Sequence, residues 1–324
     1  MKDNTKKVLM GFGITACAVA AVSSVSYYIT KHLVKVALDR EEPKAIGKSK
    51  ERLTGNNNIE ETIKAQNIIA QRLESLNLKT VEITAQDSTK LVGHLFTCKN
   101  AKRTIIAMHG WRSSWSKDFG MLSDFLFNNN CNVLFAEQRG QGNSGGEYMG
   151  FGLTERFDCL DWINWVNSQE FKKLPIYLLG ISMGATTVLM SAGFDLPSNV
   201  CGIIADCGFT SPSEIWKHVA QNMNLLYTNI RGNIASALCK KKINVASNDY
   251  STITALQNCK VPVLLIHGTD DRFVPVQMTY ENYKACASPK KLLIVPGAEH
   301  GMSYVEEQDL YEKTVKEFWQ ENDN

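Results

Sequence analysis

The chain has 324 residues, and 35 Lys and Arg against 33 Asp and Glu give a formal net charge of +2. So small a charge argues against a broad electrostatic surface for nucleic acid. A hydrophobic fraction of 44% with 21% charged residues excludes a largely disordered chain. Nine cysteines, an odd number without a C-x-x-C pair, favour free thiols in a reducing environment and indicate no zinc site.

The first predicted element is an N-terminal membrane anchor. Residues 8–29 carry no charge, and as a helix they would span about 33 Å against a hydrocarbon core of about 30 Å. Basic residues flank the segment, and Tyr27 and Tyr28 lie where interfacial aromatics are common. Two alternatives stay open: a cleaved signal peptide with 18–20 as its site, and a lipoprotein signal ending at Cys17.

The charges around this segment predict its orientation. Three lysines precede it, and four basic residues follow it: Lys31, Lys35, Arg40 and Lys44. The positive-inside rule therefore favours a single-pass membrane protein with its folded domain on the cytoplasmic face. The predicted organisation is an anchor at 1–36, a polar linker at 37–58 and a folded domain at 59–324.

Short apolar segments alternate with helical patterns through the rest of the chain. Residues 81–84 and 91–96 predict an antiparallel hairpin. Later segments have the length of strands buried on both faces of a parallel sheet, and they cover 104–108, 132–136, 176–179, 201–205, 263–266 and 292–295. Helical patterns such as 157–166 and 306–319 separate them. The alternation predicts an α/β fold with a mostly parallel central sheet and helices on both faces. Reactive groups are expected at the carboxyl ends of its strands.

A candidate nucleophile lies at the end of one predicted strand. The segment Gly180-Ile181-Ser182-Met183-Gly184 has the G-x-S-x-G pattern, with a strand before it and a helical pattern after it. A serine on such a tight turn is exposed above the sheet. The pattern alone is also compatible with a simple turn, but its position between strand and helix favours Ser182 as the nucleophile.

A serine hydroxyl needs a general base to become a good nucleophile. Among the six histidines, His300 follows the last predicted strand in a loop beside Gly301, as the chain order Ser, acid, His requires. The imidazole in turn needs a carboxylate that fixes its tautomer. The loop after strand 263–266 offers both Asp270 and Asp271, and these residues by themselves leave the choice open.

Together these motifs resemble the α/β-hydrolase superfamily of serine hydrolases over residues 80–320. The chain is similar to bacterial, often membrane-anchored esterase-like members related to prolyl oligopeptidases and serine aminopeptidases. The family pattern H-G-x-x-D-x-x-V-P matches 267–275, which implies that Asp271 is the acid. The pattern G-x-x-H-G matches 297–301, which implies that His300 is the base.

The same resemblance implies an oxyanion hole and a cap, and the sequence departs from the family pattern at one position. His109-Gly110-Trp111 matches the oxyanion element, so the donors would be the backbone N–H groups of Trp111 and Met183. An insertion at about 209–258 of the hydrolase domain would form a small helical cap, whose apolar residues line an acyl pocket or pack the cap onto the body. Glu137 replaces the Asp of the family's D-x-R-G-x-G-x-S loop, which concerns local packing.

The predicted function is hydrolysis of small-molecule carboxylic esters through an acyl-enzyme, without a metal or organic cofactor and without nucleic acid. A thioesterase, a peptidase or amidase, or an acyltransferase would use the same three residues. A membrane-tethered protein that keeps the fold but only binds its partner is the alternative from a different class.

Overall fold

The computed structural model describes residues 25–41 and 59–323, with the side chains of 59–63 excepted. Its centre is an eight-stranded sheet in the order β1-β2-β4-β3-β5-β6-β7-β8. The strands are β1 (Lys79–Thr84), β2 (Lys90–Phe96), β3 (Arg103–Met108), β4 (Cys131–Glu137), β5 (Ile176–Ile181), β6 (Val200–Asp206), β7 (Val263–Gly268) and β8 (Lys290–Val295). β2 pairs antiparallel with β1 and β4, and the other pairs are parallel. The predicted hairpin and the mostly parallel α/β sheet are confirmed.

Helices follow most of the strands. Helix α1 covers residues 25–38. The others are α2 (Ile59–Glu74), α3 (Trp115–Asn128), α4 (Glu155–Asn167), α5 (Met183–Ser191), α6 (Pro212–Asn222), α7 (Asn229–Ile243), α8 (Thr252–Leu256), α9 (Val276–Ala285), α10 (Ser303–Glu306) and α11 (Gln308–Asn322). The helical pattern predicted at 306–319 corresponds to α11, which begins at Gln308 because the chain turns at Glu307, where φ is −137° and ψ is 60°.

The central strands β3 and β4 are buried along their whole length because helices cover both faces of the sheet. Alternate residues of one strand point to opposite faces: Ile106 of β3 packs in the layer that holds Trp162 of α4, and Ile105 packs in the layer that holds Phe119 of α3. Burial of each large apolar side chain contributes about 1.5–3 kcal/mol. The two layers hold the sheet rigid and fix where its carboxyl-end loops begin.

The predicted single-pass anchor is wrong. Within 25–41 and 59–323, none of the helices has both the length and the apolar character that a membrane span requires. The transmembrane helix, the membrane contact through it and the membrane-anchored localisation are corrected accordingly. Residues 8–24 of the predicted span lie outside the described residues. The described end of the span continues as α1, which carries Lys31 and Lys35 and buries Val34 and Leu38 against protein.

The end of α1 is held by the loop after β3. The indole Nε1 of Trp111 donates to the Ala37 carbonyl at 2.9 Å, and Arg112 Nη2 donates to the carbonyls of Val36 at 2.9 Å and Asp39 at 2.6 Å. These bonds satisfy carbonyls that a helix end leaves without intrahelical partners. The helix thus runs through the boundary predicted at residue 36. The division into 1–36, 37–58 and 59–324 with a cap at 209–258 stays a prediction.

Candidate active site

Ser182 lies on a sharp turn between β5 and α5. Its φ of 57° and ψ of −118° are costly for a residue with a Cβ, by about 1–3 kcal/mol. Glycines make the turn possible. A Cβ on Gly184 would lie 1.8 Å from the Met108 carbonyl oxygen, and one on Gly180 would lie 2.3 Å from the carbonyl carbon of Gly184. Both glycines of the G-x-S-x-G pattern are therefore required by the close approach of backbone to backbone.

Three predicted residues from distant loops form one hydrogen-bonded chain. His300 Nε2 lies 2.9 Å from Ser182 Oγ, and His300 Nδ1 lies 2.6 Å from Asp271 Oδ2. An ionised carboxylate only accepts hydrogen bonds, so Nδ1 carries the proton and Nε2 can accept the serine proton. Asp270 does not join this chain: its exposed carboxylate accepts from Thr269 Oγ1 at 2.7 Å.

The carboxylate of Asp271 is fixed on both oxygens. Its Oδ1 accepts the backbone N–H groups of Phe273 at 2.9 Å and Val274 at 2.8 Å. Its Oδ2 accepts from His300 and lies 3.0 Å from His267 Nε2. With its side chain fully buried and every contact a donor, Asp271 is ordered as an acceptor for His300.

His267 also lies in this site, although the sequence patterns assigned it no role of its own. Its Nε2 lies 2.8 Å from the carbonyl oxygen of Val274 as well as 3.0 Å from Asp271. A carbonyl oxygen only accepts, so Nε2 carries a proton and shares it between the two oxygens. Nδ1 contacts Thr279 Oγ1 at 2.5 Å. The signal was its place four residues before Asp271 at the end of β7, which puts it under that carboxylate.

Burial and charge shift the pKa values of Asp271 and His300 in opposite directions. Burial alone would raise the pKa of Asp271, but the positive charge of His300 and the hydrogen bonds from His267 and His300 hold that pKa well below its usual range. Burial alone would lower the pKa of His300, but the charge of Asp271 and its hydrogen bond raise that pKa well above 6.5. The pair therefore stabilises an imidazolium next to Ser182.

The loop after β3 places Trp111 beside the nucleophile. A Cβ on Gly110 would lie 3.3 Å from Ser182 Cβ, and the Gly110 N–H donates to Asp118 Oδ2 at 2.6 Å. Asp118 also accepts from the Ser113 hydroxyl, so one carboxylate of α3 holds the loop. The N–H groups of Trp111 and Met183 donate to no other atom of residues 25–41 and 59–323. Both remain available for a substrate oxygen.

A cavity of about 310 Å³ lies over Ser182 and His300. Asp206, at the end of β6, lines it and is 2% exposed. Burial raises the pKa of Asp206 to about 6, although Ser303 Oγ donates to its Oδ1 at 3.1 Å. The sequence patterns did not single out Asp206. Its position as an acidic residue at the end of a parallel strand could have indicated that it lies at the site.

The raised pKa of Asp206 predicts a pH-dependent change in stability. An unfolded Asp ionises near 3.8 but Asp206 ionises at about 6, so the free energy of unfolding falls as pH rises between these values. The difference corresponds to about 3 kcal/mol. Asp206→Asn is therefore expected to unfold at higher denaturant concentration than wild type at pH 8 and to lose this advantage at pH 4. A greater advantage at pH 4 than at pH 8 would contradict the assignment.

Among the described residues, Cys207, Asp271 and His300 form a group that could ligate a metal, with ligand atoms within 4.8 Å of one another. Asp271 and His300 already bond to each other. Burial raises the pKa of the Cys207 thiol to about 11, so the thiol is protonated at neutral pH. A divalent cation would need Cys207 as a thiolate. The three residues therefore fit a protonated thiol beside the Asp271–His300 pair better than they fit a metal site.

Glu137, which stands where the family pattern has Asp, is accommodated by the packing of its loop. One carboxylate oxygen of Glu137 lies 2.7 Å from His94 Nε2 and accepts from Asn143 Nδ2 at 3.0 Å, and the other accepts the Asn143 backbone N–H. A Cβ on Gly142 would lie 2.2 Å from the Glu137 carboxylate, so glycine leaves the space that the longer acid occupies. The substitution alters the loop's packing and does not reach Ser182.

Comparison with known proteins identifies the class. The family model described as serine aminopeptidase, S33, matches residues 99–258. The uncharacterized protein YqkD of Bacillus subtilis (strain 168) is 30% identical over 215 residues, covering 66% of this chain and 70% of YqkD. The uncharacterized protein YfhR of Escherichia coli (strain K12) is 26% identical over 248 residues, covering 74% of this chain and 80% of YfhR. The chain belongs to the α/β-hydrolase superfamily.

A solved structure shares the fold. The Pyrococcus furiosus esterase Pf2001 superposes with a TM-score of 0.64 at 23% identity, covering 78% of this chain and 94% of the esterase. At that identity the likeness concerns the fold, and function has to be argued from the site.

Proposed function

We propose that this protein is a serine hydrolase that cleaves carboxylic esters of small molecules through an acyl-enzyme. The observation that carries the proposal is the chain of contacts from Ser182 Oγ to His300 at 2.9 Å and from His300 to Asp271 at 2.6 Å. Nucleophile, base and orienting acid in these positions are the parts that acyl transfer needs. The esterase named among the structures of the same fold supports this choice.

The geometry supports a two-stage mechanism. His300 Nε2 takes the proton of Ser182 while Oγ attacks the ester carbonyl, and Asp271 stabilises the imidazolium. The N–H groups of Trp111 and Met183 donate to the oxyanion. The intermediate collapses, and the departing alcohol takes the proton from His300. Water then attacks the acyl carbonyl and gives its proton to His300, and the second intermediate collapses by breaking the bond between Ser182 Oγ and the acyl carbon. Oγ takes the proton back from His300, and the acid leaves.

A substrate panel tests the reaction class. Purified protein is assayed on nitrophenyl esters, on aminoacyl and peptidyl anilides, and on acyl thioesters under the same conditions. The proposal expects kcat/KM for esters to exceed that for anilides by at least about 10². The family model's description names an aminopeptidase, so a preference for aminoacyl anilides would replace the ester proposal with that function. Inactivity on all three classes would favour a binding protein.

The pH dependence of kcat/KM reports on His300. A general base must be neutral, so the protonated imidazole below its pKa is inactive. Because Asp271 raises that pKa, the rate is expected to rise with pH through a midpoint above 6.5. In Asp271→Asn the midpoint should move to lower pH, because the negative charge that stabilises the imidazolium is gone. A midpoint that is unchanged in the variant would assign the titration to another group.

A further inference from the structure

A second cavity, of about 240 Å³, lies between α1 and helices α6 and α7. We call it the chain cavity, and much of its wall is formed by Leu33, Val34, Ala37, Trp216, Val219 and Ala220. Two polar side chains of the wall already have protein partners: Thr30 Oγ1 donates to the Ser26 carbonyl at 2.8 Å, and Arg231 Nε donates to Ser26 Oγ at 2.7 Å. The indole N–H of Trp216 is buried and has no partner among the described residues, and the rest of the chain cavity offers mainly hydrocarbon surface to a ligand.

Two aromatic residues join this cavity to the reacting atoms. Trp111 and Phe273 line both the chain cavity and the cavity over Ser182. Their rings are nearly parallel, with centroids 6.5 Å apart and planes at 15°. Phe273 also packs edge-on against the imidazole of His300 with centroids 5.0 Å apart. The two cavities therefore have these two rings in common, so a chain attached to an ester at Ser182 would reach the apolar space by passing them.

We propose that the chain cavity binds the straight hydrocarbon chain of the ester, which deepens the proposed function and rests on it. At about 30 Å³ for each water-sized group, the cavity has room for about eight methylenes. A chain of that length would leave water for apolar side chains, which is the main favourable contribution in such sites. The substrate class is esters with one unbranched chain of roughly eight to ten carbons.

Helix α1 is part of this site because it supplies one wall. Ala37 lines the chain cavity, and its carbonyl accepts the Trp111 indole N–H at 2.9 Å. Trp111 is also the residue whose backbone N–H faces the oxyanion position in the proposed mechanism. The segment at 25–38 therefore contributes to substrate binding and to the position of the oxyanion loop.

Two ester series on the full-length chain measure the chain length that the site accepts. One series fixes nitrophenol as the alcohol and lengthens the acyl group from two to sixteen carbons. The other fixes acetate and lengthens a straight-chain alcohol. Each buried methylene is worth about 0.8 kcal/mol, which is about fourfold in kcat/KM.

We expect kcat/KM to rise about fourfold per methylene in one series and to level off near eight to ten carbons. The series that rises tells whether the acyl or the alcohol chain occupies the cavity. An active enzyme with flat profiles in both series would overturn the chain-cavity proposal while leaving the ester hydrolase standing.

A variant that fills the cavity tests its location. Ala220→Leu adds three carbons to the wall on α6, and the kcat/KM ratio of the ten-carbon to the two-carbon ester of the rising series is expected to fall at least tenfold. Ala246→Leu is the matched control, because Ala246 is also 9% exposed but lies outside the cavity wall. The control should keep the wild-type ratio. A wild-type ratio in Ala220→Leu would exclude this cavity as the chain site.

Direct binding separates this proposal from the proposed reaction and needs no substitution in α6 or α7. Decanoate is titrated into the full-length Ser182→Ala variant, with tryptophan fluorescence as the readout because Trp111 and Trp216 line the cavity. We expect saturable binding below about 1 mM, which corresponds to about 4 kcal/mol. Binding by a protein that hydrolyses no ester would support the cavity and overturn the ester hydrolase. Ester hydrolysis without decanoate binding would overturn the cavity alone.

Discussion

Replacing Ser182 by alanine is expected to lower kcat on a short-chain ester by about 10⁶, because loss of the nucleophile alone removes nearly all the rate that a complete triad provides. The hydroxyl is the atom that contacts His300 Nε2, at 2.9 Å, and the variant leaves that base with nothing to activate. A fluorophosphonate probe that labels the wild-type protein should fail to label Ser182→Ala. Steady-state kinetics and mass spectrometry of the labelled peptide measure the two effects.

Ser191→Ala serves as the matched control for Ser182→Ala. Ser191 is also a buried serine of α5, but its hydroxyl donates to the Val188 carbonyl at 2.8 Å within the helix. Its loss should leave kcat within about twofold, since a local helix bond of this kind is worth only about 1 kcal/mol of stability. Full labelling of Ser182→Ala would remove Ser182 as the nucleophile and favour the binding-protein alternative.

Asp271→Asn is expected to lower kcat by about 10⁴, by analogy with the loss when the orienting acid of a triad becomes an amide. The amide group can donate to His300 Nδ1, which stabilises the tautomer that points its proton at Ser182. The substitution also removes the negative charge that balances the imidazolium of His300. The measurement is kcat at pH 8 on one short-chain ester, with thermal melts to confirm that the variant is folded.

The neighbouring aspartate supplies the control for this experiment. Asp270 is exposed and bonds to Thr269 Oγ1, so Asp270→Asn should cost no more than about tenfold, since turn positions accept asparagine readily. An inactive Asp270→Asn beside a nearly intact Asp271→Asn would place the acid one residue earlier in the chain and contradict the contact at His300.

The N-terminal segment shows where a local pattern misleads. An uncharged run that ends at Ile29 has the composition of a span, and the correction came from residues beyond it. Arg40 donates to the carbonyls of Gly142 and Ser144 at 2.6 Å each, so the chain after α1 is tied to the loop that follows β4. Such contacts join residues about one hundred positions apart, and no window of sequence contains both partners.

The sequence by itself determined the fold class and predicted Ser182 and His300, but its residues alone left the acid open between Asp270 and Asp271. The length and apolarity of the strands indicate burial on two faces. Gly180 and Gly184 indicate that backbone segments approach too closely for a side chain, Gly184 against Met108 and Gly180 against Gly184. The family pattern selected Asp271 over Asp270, and the distance of 2.6 Å to His300 agrees with that choice.

Only the tertiary structure decided what lies around those residues. His267 beneath Asp271, Asp206 beside Ser182, and the cavity between α1 and α6 each depend on side chains from separate elements meeting in space. Hydrophobic periodicity tells which face of a helix is buried but not which element buries it. Helix α1 is the example: its first residues, up to Ile29, belong to the uncharged run that suggested a membrane span, and in the folded chain its later residues Val34 and Leu38 pack on protein where the loop at Trp111 holds the helix end.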